Sequence, residues 1–101
     1  MTTMDGVATA AARHLHLLGD HLQTRDLHTR VGSTHSGLPQ LILVRTAVPT
    51  LSEIVYAAER AGTWWFWWSW AEPIAPVTDL TTAITRIHRL FASGARRRRP
   101  A

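Results

Sequence analysis

The stretch Thr63-Trp64-Trp65-Phe66-Trp67-Trp68-Ser69-Trp70 decides the fold. Six aromatic side chains fall within the seven positions from Trp64 to Trp70. Large flat rings pack well on a pleated, half-buried surface, so the run predicts a β-strand. Alternation divides it between the two faces of a sheet. Trp64, Phe66, Trp68 and Trp70 share one face, and this all-aromatic set is expected in the core. Trp65 and Trp67 share the other face with Thr63, Ser69 and Ala71. Leu41, Leu43, Val55 and Ala57 of neighbouring strands are expected to surround these two indoles.

Working outward, Glu72-Pro73-Ile74-Ala75-Pro76 reads as a loop, because proline cannot sit inside a ladder. A helix follows over 78–92, with Leu80, Ile84, Ile87 and Leu90/Phe91 on one face. Thr78 or Asp79 suits its start and Gly94 its end. On the other side of the aromatic run, Ala61-Gly62 signals a tight turn from a strand at Ile54–Ala57. Pro49-Thr50 marks the turn before that, and Leu41-Ile42-Leu43-Val44 is a buried strand entered at Pro39 and continuing to about 47. A short strand near 26–31 leads into a turn at Gly32–Gly37. Residues 5–25 form an amphipathic helix with Ala8, Ala11, Ala12, Leu15, Leu18 and Leu22 on its stripe and Asp5 as its cap. Gly19 interrupts the pattern, marking a close approach of this helix to the sheet.

The order predicts an α+β fold: an N-terminal helix, an antiparallel sheet of three to four strands and a C-terminal helix, with both helices on one sheet face. Residues 1–94 form a single domain, and 95–101 form a disordered arginine-rich tail.

Composition agrees with a folded domain: 46% of the 101 residues are hydrophobic and 18% are charged. Cysteine is absent, which excludes disulfides, thiolate metal sites and cysteine nucleophiles. No apolar run reaches the ~18 residues of a membrane span. The start, Met1 to Gly6, lacks a basic segment followed by an apolar one, so no secretory signal and a cytoplasmic setting are expected. Lysine and asparagine, whose codons are AT-rich, are both missing, which points to a GC-rich bacterial genome.

The eleven arginines exceed the seven acids by four, and Arg96, Arg97, Arg98 and Arg99 account for that excess. The body is therefore neutral. The run reads first as a solvated end, and in the alternative as an arm for nucleic acid.

Other candidate chemistry is weak. The six histidines, at 14, 16, 21, 28, 35 and 88, show no metal-ligand spacing and are expected to face solvent. Gly32-Ser33-Thr34-His35-Ser36-Gly37 lacks the strand-to-helix context of a nucleophile elbow. Without lysine there is no Walker phosphate loop. Asp20 with Asp26, and Glu53 with Glu59, read as solvated surface charge. The helix–strands–helix order also suggests a double-stranded-RNA module, but Val77-Thr78-Asp79-Leu80 is acidic where such modules carry lysines. No metal and no cofactor are expected.

Residues 63–76, TWWFWWSWAEPIAP, with the helix that begins near Thr78-Asp79-Leu80, resemble a group of short, uncharacterised actinobacterial proteins. These share a WWFWWSW-type segment, then an E-x-I-x-P loop, then a helix. The resemblance covers mainly residues 50–92. It implies an accessory role beside helix-turn-helix regulators and no known activity. Where the group carries glycine after the aromatic run, this chain has Ala71.

Two helices do not cover both faces of such a sheet. The expected function is therefore non-enzymatic: an accessory protein that binds a protein partner, or its own copy, through a face bearing Trp65, Trp67, Leu41, Leu43 and Val55. A sheet curled onto its own second face, or an aromatic platform for base stacking, are the other readings of that face.

Overall fold

The computed structural model describes residues 3–48 and 50–92. Its elements run α1 (Thr3–Leu22), β1 (Leu27–Ser33), β2 (Pro39–Arg45), β3 (Ser52–Arg60), β4 (Thr63–Trp68), β5 (Pro73–Pro76) and α2 (Leu80–Ala92). The five strands form an antiparallel meander in sequence order, β1-β2-β3-β4-β5. This is the α+β arrangement expected from the sequence, with one strand more. Pro49, Gly94 and the arginine tail at 95–101 lie outside the described residues.

The additional strand is β5, where a loop was expected. Prolines bound it at 73 and 76, and it lies at the sheet's edge against β4. A proline at either end of an edge strand removes no ladder bond from the interior, which is one of the places a sheet tolerates it. Backbone bonds from Trp68 N to Glu72 O (2.8 Å) and from Val77 N to Trp64 O (3.0 Å) clamp the strand just beyond its prolines. The aromatic strand itself stops at Trp68, short of Trp70. There the chain turns: Ala71 N donates to Trp68 O at 2.9 Å, with Ala71 in the left-handed region at φ 69°. The tight geometry that glycine would serve is thus kept by an alanine, at a cost of about 1 kcal/mol.

Helix boundaries follow local chemistry. Asp79 caps α2: its Oδ1 accepts from Thr82 N (3.2 Å) and its Oδ2 from Thr82 Oγ1 (2.8 Å). The first helix runs from Thr3, ahead of the start at Asp5 that the sequence suggested, and the Asp5 side chain lies outside the described ones. Gly19 sits where α1 presses on the sheet. A Cβ there would stand 3.0 Å from Leu41 Cδ1 and 3.3 Å from Thr29 Oγ1. The Gly19 carbonyl meanwhile accepts a hydrogen bond from Thr29 Oγ1 at 3.1 Å.

Both helices feed one core. Ala11, Leu15, Leu18 and Leu22 of α1 and Ala83, Ile87, Leu90 and Phe91 of α2 join Leu27, Leu41, Leu43, Val55, Ala57, Phe66, Trp68, Ile74 and Ala75 of the sheet. Trp64 and Trp70 pack against that cluster while keeping some exposure. Trp70 stacks on Trp68 with 5.0 Å between ring centroids and 4° between planes, and its Nε1 donates to Glu72 Oε1 at 2.8 Å.

Register corrects part of the expected surface. Leu41, Leu43 and Val55 have 0% exposure and lie on the helix-covered face with Phe66 and Trp68, away from Trp65 and Trp67. The cause is the turn between β3 and β4. Ala61 and Gly62 both have positive φ, 52° and 81°, as a two-residue type I′ hairpin requires. Such a turn sets Arg60 opposite Thr63, and so each odd residue of β3 opposite an even residue of β4. Val55 therefore shares a face with Trp68, and its partner Leu41 follows. The same parity takes Glu53, opposite Leu43, into the interior at 5% exposure, against the expectation of a solvated charge. Glu59 is exposed, as expected.

Candidate functional site: the open face of the sheet

The face turned away from both helices can be read row by row from the strand pairing. His28, Val44 and Ser52 form one row, and Arg30, Ile42 and Ile54 the next. Gly32 and Gln40 stand beside Tyr56, Trp67 and Pro73. Ala58, Trp65 and Pro76 follow, and Arg60 with Thr63 closes the sheet at the hairpin. Ile42, Val44, Ile54, Tyr56, Trp65, Trp67, Pro73 and Pro76 are all half-buried, and none belongs to the core cluster. Each is screened by its strand neighbours and keeps its outer surface in water.

The site is both apolar and ordered. Trp67 Nε1 donates to the Ala58 carbonyl at 3.3 Å, which pins the indole across its neighbour strand. Tyr56 Oη donates to Gln40 Oε1 at 3.1 Å. The Arg60 guanidinium carbon lies 5.9 Å from the ring centroids of both Trp65 and Trp67, a cation–π arrangement that holds a positive charge over the aromatic pair.

Charge on this face has one sign. Arg30 and Arg60 lie on it, and the rows above contain no aspartate or glutamate. The body's neutrality hides this segregation, because Glu53 and Glu59 have the opposite parity on β3.

Of the residues expected to make the partner surface, Trp65 and Trp67 are together here, whereas Leu41, Leu43 and Val55 are beneath the helices. Their places beside the indoles are taken by Tyr56, Ile54, Ala58, Pro73 and Pro76. The signal for the true neighbours was the Ala61-Gly62 turn: two loop residues set Tyr56 opposite Trp67 by counting alone. Arg96, Arg97, Arg98 and Arg99, the alternative nucleic-acid residues, lie outside the described residues.

Other candidate chemistry does not assemble. Among the described residues no group of three or more His, Asp or Glu side chains is placed to hold a metal. In segment 32–37, Gly32 and Ser33 end β1 and the rest is a strand-to-strand turn, closed by Thr34 N to Leu38 O and by Leu38 N to Thr34 Oγ1, with a strand and not a helix behind it. His14 is the histidine drawn into packing. Its ring lies 5.2 Å from that of Trp64, and desolvation, followed by the nearby Arg13, pulls its pKa below the ordinary histidine value. Histidines 16, 21, 28, 35 and 88 are exposed. No helix among the described residues is long and apolar enough to cross a membrane.

Fold and site together define a small two-layer α+β protein, helices on one side and an open aromatic sheet face on the other. No protein-family model, curated protein or solved structure matches the chain.

Proposed function

We propose that this chain is a non-enzymatic accessory protein that docks a protein partner on the open face of its sheet. The observation that supports this most is the pairing of Trp65 and Trp67, both half-buried, on the face opposite the two helices. Indoles held rigidly at the centre of an apolar surface are the common anchors of protein interfaces. The rim supports a choice of partner. With Arg30 and Arg60 and no carboxylate in the rows, the complementary surface presents apolar side chains flanked by acids. A second copy stacked on this face brings like charges toward each other, which favours a different chain. An accessory role beside a helix-turn-helix regulator, as the resemblance of residues 63–76 implies, and a cytoplasmic setting belong to the same reading.

Selection of ligands from a random-sequence peptide library tests it. The expected winners combine aromatic or aliphatic residues with carboxylates. On binding they shift the indole N–H resonances of Trp65 and Trp67 and leave that of Trp68 in place. Replacing both Trp65→Ser and Trp67→Ser abolishes binding without unfolding the protein. Peptides that shift Trp68 or the helices instead, or no enriched peptide at all, overturn the reading. Two other results reassign the face: a molar mass by light scattering that doubles with concentration and reverts in the double variant assigns it to a second copy. Salt-dependent binding of single-stranded DNA lost in the same variant assigns it to nucleic acid.

A further inference from the structure

A second concave site lies on the other side of the sheet, at the end where α1 begins. Its walls are Val7, Ala8 and Ala11 of α1, Leu38 and Pro39 at the β1–β2 turn, and Ala57, Glu59 and Trp64 of the β3–β4 hairpin. The space exists because of small side chains. Alanines at 8, 11 and 57 stop at Cβ where larger residues would bring helix and strand into contact. The resulting cavity measures about 380 Å³, within the size range of small-molecule sites. Its rim is greasier than solvent contact alone explains. Val7 is 46% and Leu38 51% exposed, two of the four large hydrophobic side chains that stand exposed among the described residues.

The lining also has a definite charge. Among the described residues Glu59 is its one ionisable side chain, and Ser36 is a further polar group. Glu59 sits directly opposite Trp64 across the two strands, so a carboxylate and an indole face the same space from one cross-strand pair. Among the described residues no arginine or histidine lines the cavity. An apolar pocket with one acid and one indole offers a cation both charge attraction and a π face, while its alanine floor takes up hydrocarbon. We infer that this groove binds a small lipophilic cation, its apolar body against Val7, Ala8, Leu38 and Ala57 and its charge between Glu59 and Trp64. This site does not depend on the open face, which has the opposite charge and lies across the sheet.

Tetraphenylphosphonium and tetraphenylborate, two ions of one shape and opposite charge, test the inference. Each is titrated into the full chain while calorimetry records binding and the Trp64 indole N–H resonance reports its place. The phosphonium is expected to bind at one saturable site and to shift Trp64. The borate is expected to bind there at least about tenfold more weakly, as repulsion replaces attraction. Glu59→Gln, an exposed conservative change, is expected to weaken the phosphonium about fivefold, the worth of an exposed charge pair. Ala8→Leu, which fills the groove from a half-exposed helix position, is expected to abolish binding while leaving the unfolding midpoint close to that of the parent. Equal affinity for the two ions at Trp64, undiminished phosphonium binding by Ala8→Leu, or no saturable binding of the phosphonium overturns the inference.

Discussion

Leu43 and Ile42 are neighbours on one strand with opposite fates, and truncating each to alanine separates the two faces of the sheet energetically. Leu43 is fully buried under the helices, while Ile42 stands half-buried on the open face between Arg30 and Ile54. Removing the end of a leucine withdraws roughly three methylene equivalents from the core, about 2.4 kcal/mol at ~0.8 kcal/mol each. The void left among packed neighbours raises the loss for Leu43→Ala to about 3–5 kcal/mol. Ile42→Ala loses roughly half the transfer contribution and leaves no enclosed void, so its cost is about 1 kcal/mol. In a domain of this size each kcal/mol moves Tm by about 4–8 °C, which puts Leu43→Ala at least about 12 °C below the parent and Ile42→Ala about 4–8 °C below. Urea unfolding followed by tryptophan fluorescence measures both losses, with the slope against denaturant checked for constancy. Equal losses, or a larger loss at Ile42, would refute the assignment of faces and with it the separation of Leu43 from the docking surface.

Further perturbations test the local chemistry. Ala61→Asn places a residue that accepts positive φ in the β3–β4 turn and should raise stability by about 0.5–1 kcal/mol, whereas Gly62→Ala should lower it by at least about 1 kcal/mol; urea midpoints that move the other way contradict the type I′ turn. Asp79→Ala removes the cap of α2 and should cost about 1 kcal/mol by the same assay, and a neutral result denies the cap its role. The depressed pKa of His14 means that below about pH 6.5 the unfolded chain takes up a proton the folded chain resists. The stability due to this residue is therefore full above that pH and declines as the pH falls toward the folded value. His14→Gln should show a smaller stability difference between pH 7.5 and 5.5 than the parent, and an unchanged difference contradicts the packing of His14 on Trp64. If all four arginines at 96–99 engaged a polyanion, the log–log salt slope of DNA binding would approach about −3.6, and deletion of residues 96–101 would abolish it.

Much of the architecture is written in local pattern. The alanine and leucine stripe of α1, the periodicity of 80–91 and the aromatic run each announce their element, because hydrophobic spacing reports the period of the structure that buries it. Even Gly19 signalled the close approach it makes to Leu41 and Thr29. What failed was long-range register. The two-residue turn at Ala61-Gly62 is a local signal, but the parity it imposes on Val55, Leu41 and Leu43 acts across three strands, and a slip of one residue reverses a strand's faces. The burial of Glu53 follows from the same long-range parity and from no local pattern. The edge strand β5 was hidden because prolines at 73 and 76 argue against a ladder interior but allow a ladder end. The one-signed charge of the open face was not legible in a body whose acids and arginines balance, since segregation appears only when the strands are paired. The groove at Glu59 and Trp64 likewise arises from alanines on distant elements meeting, which no local window contains.

The central claim is that the sheet face carrying Trp65 and Trp67 is left open by its own polypeptide. The chain contains no cysteine, so single thiols introduced along β3 report each face separately. Reaction of Ile54→Cys and Ala58→Cys with a thiol reagent should proceed in the folded protein at low denaturant, while Val55→Cys should react only as the protein unfolds. Protection of positions 54 and 58 that persists at every protein concentration would show that face to be covered from within, and would contradict the account.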